Sequence, residues 1–446
     1  MKIFFLTHFY PPHHIGGTEN YTHGLAKGLV NAGHQVKVLC VEEWESGAQY
    51  WNGFTDDVYD TVPVRRLNLN WTRAANVNRD LYDNPFIANY LEKYLREIKP
   101  DLVHITSCIT LSASVIAPIK RARLPLVVSL TDFWFICPRV TLLRSDQQPC
   151  DGRVTEWDCL ECLLRGSKVE KWSRCIFPKP IMVNLLTGIS KNNTLSRLRG
   201  LRGMAMDIHG RRVVMQQSLA QADRVLIASQ VGLDLFRGAG FAMPIDIVHY
   251  GHDLTWLDAY HGKTPSRAIR FGFSGQIAPM KGQQLLIEAF RAIGANDDAR
   301  LLIYGNLDKD PAFGQHLRAL AHQHPAIEFR GTYAHTASAQ VFADMDVLVV
   351  PSLWNDYPLI INEAFATGTP VIASDFGGMS EFVKHATNGL LFMRGDRDDL
   401  AHQLKRIITE PGLLAQLCAQ IPPVKTMAQA VYEMQQIYQS VLTTNS

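Results

Sequence analysis

A chain of 446 residues is too long for one comfortable core and suits two domains of ordinary size. Its 47% apolar and 19% charged residues make a folded globular composition and exclude an intrinsically disordered chain. A formal charge of +2 demands no polyanion, so no nucleic-acid partner is expected. The apolar opening Met1 to Leu6 stops at Thr7-His8, well short of the roughly 20 apolar residues of a membrane span, and lacks a signal peptide's cleavage site. The expectation is a cytoplasmic protein whose eight cysteines stay reduced unless they hold a metal.

In chain order, Lys2–Thr7 reads as a strand, Glu19–Ala32 as a helix stopped by Gly33, and Gln35–Val41 as the next strand. Asn84–Ile98 reads as a helix closed by Lys99-Pro100, and Leu102–Ile105, Leu126–Leu130 and Arg224–Ala228 as strands. This βαβ rhythm predicts a parallel sheet with helices on both faces. It breaks over about residues 133–219, taken as an insertion in a first domain of residues 1–251. Residues 252–267, with Gly262, Pro265 and Ser266, predict a linker. The rhythm restarts in a second domain, residues 268–425. Strands are expected at Ile269–Ser274, Leu301–Tyr304, Ile327–Arg330, Val347–Val350 and Pro370–Ala373, and helices at Gln283–Ile293, Pro311–His322, Ala337–Asp344 and Ile360–Thr367. Residues 426–446 carry a terminal helix with apolar Met427, Val431, Met434, Ile437 and Tyr438 at helical spacing.

Ligands of doubly wound sheets sit at the carboxyl ends of strands, where helix amino termini meet loops. After the first strand, Tyr10 to Glu19 contains Gly16-Gly17 just before a helix. Bare main-chain N–H groups there can approach an anion, although a plain strand-to-helix turn reads as well. After the first strand of the second domain, Gly275-Gln276 leads to Lys281-Gly282 at a helix start. That lysine is placed to neutralise a diphosphate, the competing reading being a solvated surface residue. The most informative segment is Val349 to Ser374: a buried strand, a polar loop with Asn355, Asp356, Tyr357, Pro358 and Leu359, and a helix carrying Glu363 among apolar neighbours. A carboxylate so placed can accept hydrogen bonds from a ribose diol. Gly377-Gly378 repeats the glycine-pair pattern, and neither pair matches the dinucleotide fingerprint G-x-G-x-x-G, which disfavours an oxidoreductase.

Taken together, these segments resemble glycosyltransferase family 4, whose GT-B fold sets two Rossmann-like domains face to face. The resemblance is carried by Tyr10–Glu19, Gly33-His34-Gln35-Val36, Gly275–Gly282 and above all Pro351–Glu381. It implies a retaining enzyme whose second domain binds a nucleotide-diphosphate sugar and whose first binds the acceptor, a glycan or lipid-linked glycan of cell-surface polysaccharide or glycolipid synthesis. It also implies a terminal helix that crosses back to the first domain. Lys281 would hold the diphosphate and Glu363 the ribose, with Gly275, Gln276, Gly282, Tyr357, Pro358, Leu359, Gly377 and Gly378 around the donor and Gly16 and Gly17 closing on it. Asn355, Asp356, His104 and Asp132 complete the candidate catalytic set. No cofactor is required for this chemistry. The chain departs from the family at Gln276, where an arginine is frequent, at Asn355, where the first glutamate of an E-x7-E pair falls, and at Thr106 and Thr131, which replace histidines. These departures motivate the alternative of a catalytically silent sugar-nucleotide-binding scaffold.

The insertion holds Cys137, Cys150, Cys159, Cys162 and Cys175. Cys159 and Cys162 form a C-x-x-C pair that Cys137 and Cys150 could complete into a structural zinc site, against the plainer reading of buried free thiols. The insertion is also basic, with Arg197, Arg199, Arg202, Arg211 and Arg212 among its cations and Ile181, Leu185 and Leu186 interleaved. That pattern fits peripheral docking on an anionic membrane as well as a solvated basic loop.

Overall fold

The structure, a computed structural model, describes residues 1–165, 179–197, 201–203, 205–294, 298–354 and 356–444. It divides into two compact units, one of Met1–Ala228, Gly232–Tyr250 and Met427–Ser446, the other of Ser229–Val231 and Gly251–Thr426.

The first unit is built on an eight-stranded sheet. Its strands are β1 (Lys2–Leu6), β2 (Gln35–Glu43), β3 (Trp51–Tyr59), β4 (Val62–Leu69), β5 (Leu102–Ile105), β6 (Leu126–Leu130), β7 (Arg224–Ile227) and β8 (Asp246–Ile247), in the order β3-β4-β2-β1-β5-β6-β7-β8. All pairings are parallel except β3 with β4. β5 and β6 are buried at every residue, as continuous apolar runs covered on both faces should be. The β3–β4 hairpin carries no such run. Its turn uses Asp60 and Thr61, both with positive φ, and Arg65 opposite Asp56 holds the edge with hydrogen bonds of 2.8 and 2.5 Å.

The insertion is more regular than its sequence suggests, with helices at Glu156–Leu164, Lys179–Lys191 and Ile208–Leu219. The first opens with a capping box between Thr155 and Asp158. The terminal helix, Met427–Thr444, packs on the first helix, Gly17–Asn31. A Cβ on Gly24 or Gly28 would stand 2.5 Å from Met427 or Val431, so bare main chain lets the two helices approach. The hydroxyl of Tyr438 reaches 2.6 Å from His104 Nδ1 in the core. We therefore expect Tyr438→Phe, which strands one ring nitrogen of His104, to cost about 1–3 kcal/mol in denaturant unfolding. An unchanged midpoint would deny the helix this anchoring role.

The second unit has a fully parallel sheet of β9 (Ile269–Ser274), β10 (Ala299–Tyr304), β11 (Ile327–Gly331), β12 (Val347–Val350), β13 (Val371–Ser374) and β14 (Gly389–Phe392), ordered β11-β10-β9-β12-β13-β14. The chain winds outward from β9 to β11, then returns to the other side of β9, so the sheet reverses direction between β9 and β12. Residues 252–267 are an ordered part of this unit, not a bare linker. Trp256 packs in its core, and the Lys263 ammonium donates to the carbonyls of Phe342 (3.0 Å) and Met345 and to the Thr369 hydroxyl.

Candidate active site

The reversal point between β9 and β12 is where a doubly wound sheet opens a crevice for a ligand. Two loops leave the sheet there. The loop after β9 runs through Gly275 and Gln276 to a short turn, Pro279–Lys281. The loop after β12 runs from Pro351 to the helix Leu359–Ala366. Leu353 N–H donates to the Met280 carbonyl at 2.9 Å, and a Cβ on Gly282 would lie 2.0 Å from the Pro351 oxygen, so the loops are in main-chain contact. A third loop, after β13, presses Gly378 against the second. A Cβ there would fall 1.4 Å from the Asp356 oxygen.

These loops bring Lys281 and Glu363 to one end of the sheet, on either side of the reversal point. Burial lowers the Lys281 ammonium from its ordinary pKa and pushes the Glu363 carboxyl up to about 7. Each is partly buried, and among the described residues no hydrogen bond or ion pair compensates either. Protein interiors seldom leave both a cation and a carboxylate uncompensated unless a ligand supplies the partners. The helix carrying Glu363 begins after Pro358 without a side-chain cap, so its first N–H groups are open as well.

Tyr357 stacks on His252 with centroids 6.3 Å apart and meets the edge of Phe382 at 4.7 Å. Asp356 is partly buried and hydrogen-bonded by Ser229; burial pushes its carboxyl up to about 6, which the Ser229 bond partly offsets. Gln276 and Gly275 are exposed at the loop tip, and Gly377 and Gly378 lead into the short helix Met379–Phe382. Asn355 lies outside the described residues. Tyr333, just beyond β11, was not singled out by the sequence. Its hydroxyl sits 2.6 Å from Ser274 Oγ, and it is close enough to Glu363 to feel its charge. No motif in Thr332-Tyr333-Ala334 could have marked it.

In the first unit the loop from Tyr10 to Gly17 is held by buried Arg66, which donates to the carbonyls of Tyr10 (3.2 Å) and Pro11 (2.7 Å) and pairs with Glu42 at 2.9 Å. Gly16 and Gly17 open the helix with no side-chain cap. Glu19 pairs with His8 at 3.2 Å; burial is the largest influence and raises its pKa, but the hydrogen bond and charge of His8, a main-chain hydrogen bond and His14 together hold the carboxyl below its ordinary range. The Asp132 carboxyl, raised by burial, accepts from Ser107 Oγ (3.0 Å) and Trp134 N–H (2.8 Å).

One expectation needs correction. His104 has no exposed surface, and its ring nitrogens are taken by Tyr438 (2.6 Å) and Ser129 (2.8 Å). Burial drives its pKa down to about 3, so it is a neutral core residue and leaves the catalytic set. In the basic insertion Arg165, Arg197, Arg202 and Arg212 are exposed but hydrogen-bonded, which leaves the expectation of membrane docking open. Arg197 donates to the Ala74 carbonyl at 3.0 Å, Arg202 to the Arg197 carbonyl at 2.8 Å, Arg212 to the Val154 carbonyl at 3.1 Å, and Arg165 pairs with Asp146. Ile181 and Leu185 do remain exposed. Arg199 and Cys175 lie outside the described residues.

Comparison with known proteins agrees with this geometry. Residues 268–410 match the model of the glycosyl transferases group 1, and residues 16–165 that of the glycosyl transferase 4-like domain. An uncharacterized glycosyltransferase of Methanocaldococcus jannaschii is 24% identical over 420 residues, 92% of this chain and 90% of that protein. The D-inositol 3-phosphate glycosyltransferase of Rhodococcus opacus is 31% identical over 252 residues, 52% of this chain; the match spans about half (56%) of that protein's length. Among solved structures, HepE of Anabaena in complex with UDP and glucose superposes with a TM-score of 0.62 at 18% identity, over 99% of this chain and all of that one. The fold is thus that of a nucleotide-sugar transferase with two Rossmann-like domains. The chain belongs to the GT-B glycosyltransferases of the family 4-like type.

Proposed function

We propose that this enzyme transfers a sugar, with retention of anomeric configuration, from a nucleoside diphosphate sugar to a hydroxyl of a glycan or lipid-linked glycan in cell-surface polysaccharide or glycolipid synthesis. The observation that carries the reading is the pair of partly buried, uncompensated groups, Lys281 and Glu363, at the reversal point of the second sheet. As the bond from the sugar's anomeric carbon to the phosphate oxygen breaks, negative charge gathers on the departing diphosphate. The Lys281 ammonium and the uncapped N–H groups of Leu359 and Ile360 at the start of the helix can meet that charge. The ribose hydroxyls donate to Glu363. The acceptor oxygen forms its bond on the face the diphosphate leaves, and its proton passes to a phosphate oxygen. Front-face attack needs no carboxylate nucleophile, and Asp356 beside the donor loops is engaged by Ser229. A lipid-linked acceptor is supported by Ile181 and Leu185, which stay exposed on the insertion. Among the described residues, no helix is long and apolar enough to cross a membrane.

The pKa of Glu363 makes the donor site testable. In the unliganded chain the carboxyl is largely neutral at pH 6 and largely ionised at pH 8, and a ribose diol favours the ionised form. Calorimetric affinity for an intact nucleotide sugar, whose diphosphate does not titrate in this range, should rise about tenfold from pH 6 to pH 8 and then level off. A raised carboxyl pKa also means that the fold loses stability as pH climbs from the ordinary carboxylate value to about 7. Glu363→Gln should therefore unfold at a higher temperature at pH 8 while binding the donor more weakly and without the pH dependence. A flat wild-type profile together with unaltered affinity in Glu363→Gln would remove the residue from the site.

A further inference from the structure

Four cysteines converge from three separate stretches of the first unit. Cys137 lies in the turn after Asp132-Phe133-Trp134, its N–H donating to the Phe133 carbonyl at 2.7 Å. Cys150 follows the paired Leu143 and Pro149 and donates to the Leu142 carbonyl at 2.8 Å. Cys159 and Cys162 stand one turn apart on the helix Glu156–Leu164, which puts both on the same side of it. All four line one cavity of about 30 Å³, with Leu143, Val154 and Leu163 among its other walls. A space of that size can take a water or a metal ion. A water needs several good polar partners, and thiols are poor ones, whereas sulfur is a preferred ligand for a soft metal ion.

A second observation concerns charge. Arg211 is only 3% exposed. Its guanidinium donates to the Trp134 carbonyl and lies 5.4 Å from the centre of the Trp134 ring. No carboxylate pairs with it among the described residues, and its nearest groups able to carry negative charge include Cys137 and Cys159. A buried cation without an anion is costly. Four thiolates around a divalent ion carry a net charge of minus two, which is the counter-charge this guanidinium lacks.

We propose that Cys137, Cys150, Cys159 and Cys162 bind one zinc ion as thiolates, and that Arg211 is the buried counter-cation of that centre. The four cysteines are free thiols in this structure, and among the described residues no group of three or more metal-binding side chains stands drawn into a coordination shell. Metal uptake therefore closes the shell, displaces the thiol protons and adds its binding energy to that of the fold. Four thiolates leave no open position, so the ion is structural and does no chemistry. It ties the turn behind Asp132 to the helix Glu156–Leu164, and Arg211 ties the Trp134 carbonyl to the helix Ile208–Leu219.

The proposal rests on the chain's own thiols and is independent of the transferase reading, because its test uses neither donor nor acceptor. Full-length protein, purified without chelators or metal-affinity resin, should carry one zinc per chain by elemental analysis, with no visible absorption. A mercurial thiol reagent should release that zinc to a chromophoric chelator. The double variant Cys159→Ser, Cys162→Ser should lose the metal. Should that variant fail to fold, wild-type chain stripped of metal should recover thermal stability when zinc alone is added. Arg211→Leu should weaken zinc affinity roughly ten- to a hundredfold in competition with the chelator, and Arg211→Lys should restore most of it. Zinc far below stoichiometric with all four thiols reacting freely in the native chain would overturn the assignment. So would an iron-containing brown protein, a disulfide detected by mass, or no response of stripped protein to zinc.

Discussion

Lys281→Ala lowers the turnover of a nucleotide-sugar donor by about a hundred- to a thousandfold, the loss typical of removing one group that stabilises charge developing in a transition state. The ammonium is held at the carboxyl end of β9 by a short turn, with Gly282 locked behind it at φ +76°. Burial penalises its charge, and among the described residues nothing compensates it, so the alanine variant strands no partner and keeps its fold. The structural and catalytic consequences therefore separate: thermal midpoint unchanged or raised, kcat collapsed. A variant that unfolds at lower temperature in proportion to its lost activity would make Lys281 a structural residue and contradict this assignment.

The second large effect is steric. Gly378 has an ordinary φ of −68°, so its backbone conformation would accept any side chain. What excludes one is the Asp356 carbonyl, 1.4 Å from where a Cβ would lie. Gly378→Ala must push two loops of the proposed donor site apart, and we expect a cost on the order of 2–3 kcal/mol in stability together with loss of nucleotide binding. Gly188→Ala is the control. Gly188 sits in a helix with nothing within 4 Å of a Cβ, so the same exchange there should stabilise by about 0.5–1 kcal/mol. Full donor affinity in Gly378→Ala would show that the loop contact is dispensable.

Much of this was legible in the sequence where burial and periodicity agree. Leu102–Ile105, Leu126–Leu130, Ile269–Ser274 and Val347–Val350 are short apolar runs between turn residues, and each is a strand over those residues. The β3–β4 hairpin was not legible, because its strands hold together through Arg65 and Asp56 rather than an apolar run and its turn is Asp60-Thr61 rather than Asn-Gly. The helices Arg397–Thr409 and Leu413–Ala419 also went unread. At the site, Lys281 and Glu363 were visible because each follows a strand end. His104, which entered the candidate set through the family resemblance, lies inside β5, and its ring points into the core, a fact set by Tyr438 more than 300 residues away. Tyr333 and Arg211 acquire their significance only from such distant neighbours.

The central claim is transfer of a sugar from a nucleotide-diphosphate donor with retention. Proton NMR of the purified enzyme with a panel of nucleotide sugars and simple saccharide acceptors, Lys281→Ala serving as the background, tests it most directly. One donor should be consumed, nucleoside diphosphate should appear in equal amount, and the new anomeric proton should have the coupling of the donor's own configuration. Donor binding without consumption across the panel, or a product of inverted configuration, would contradict it.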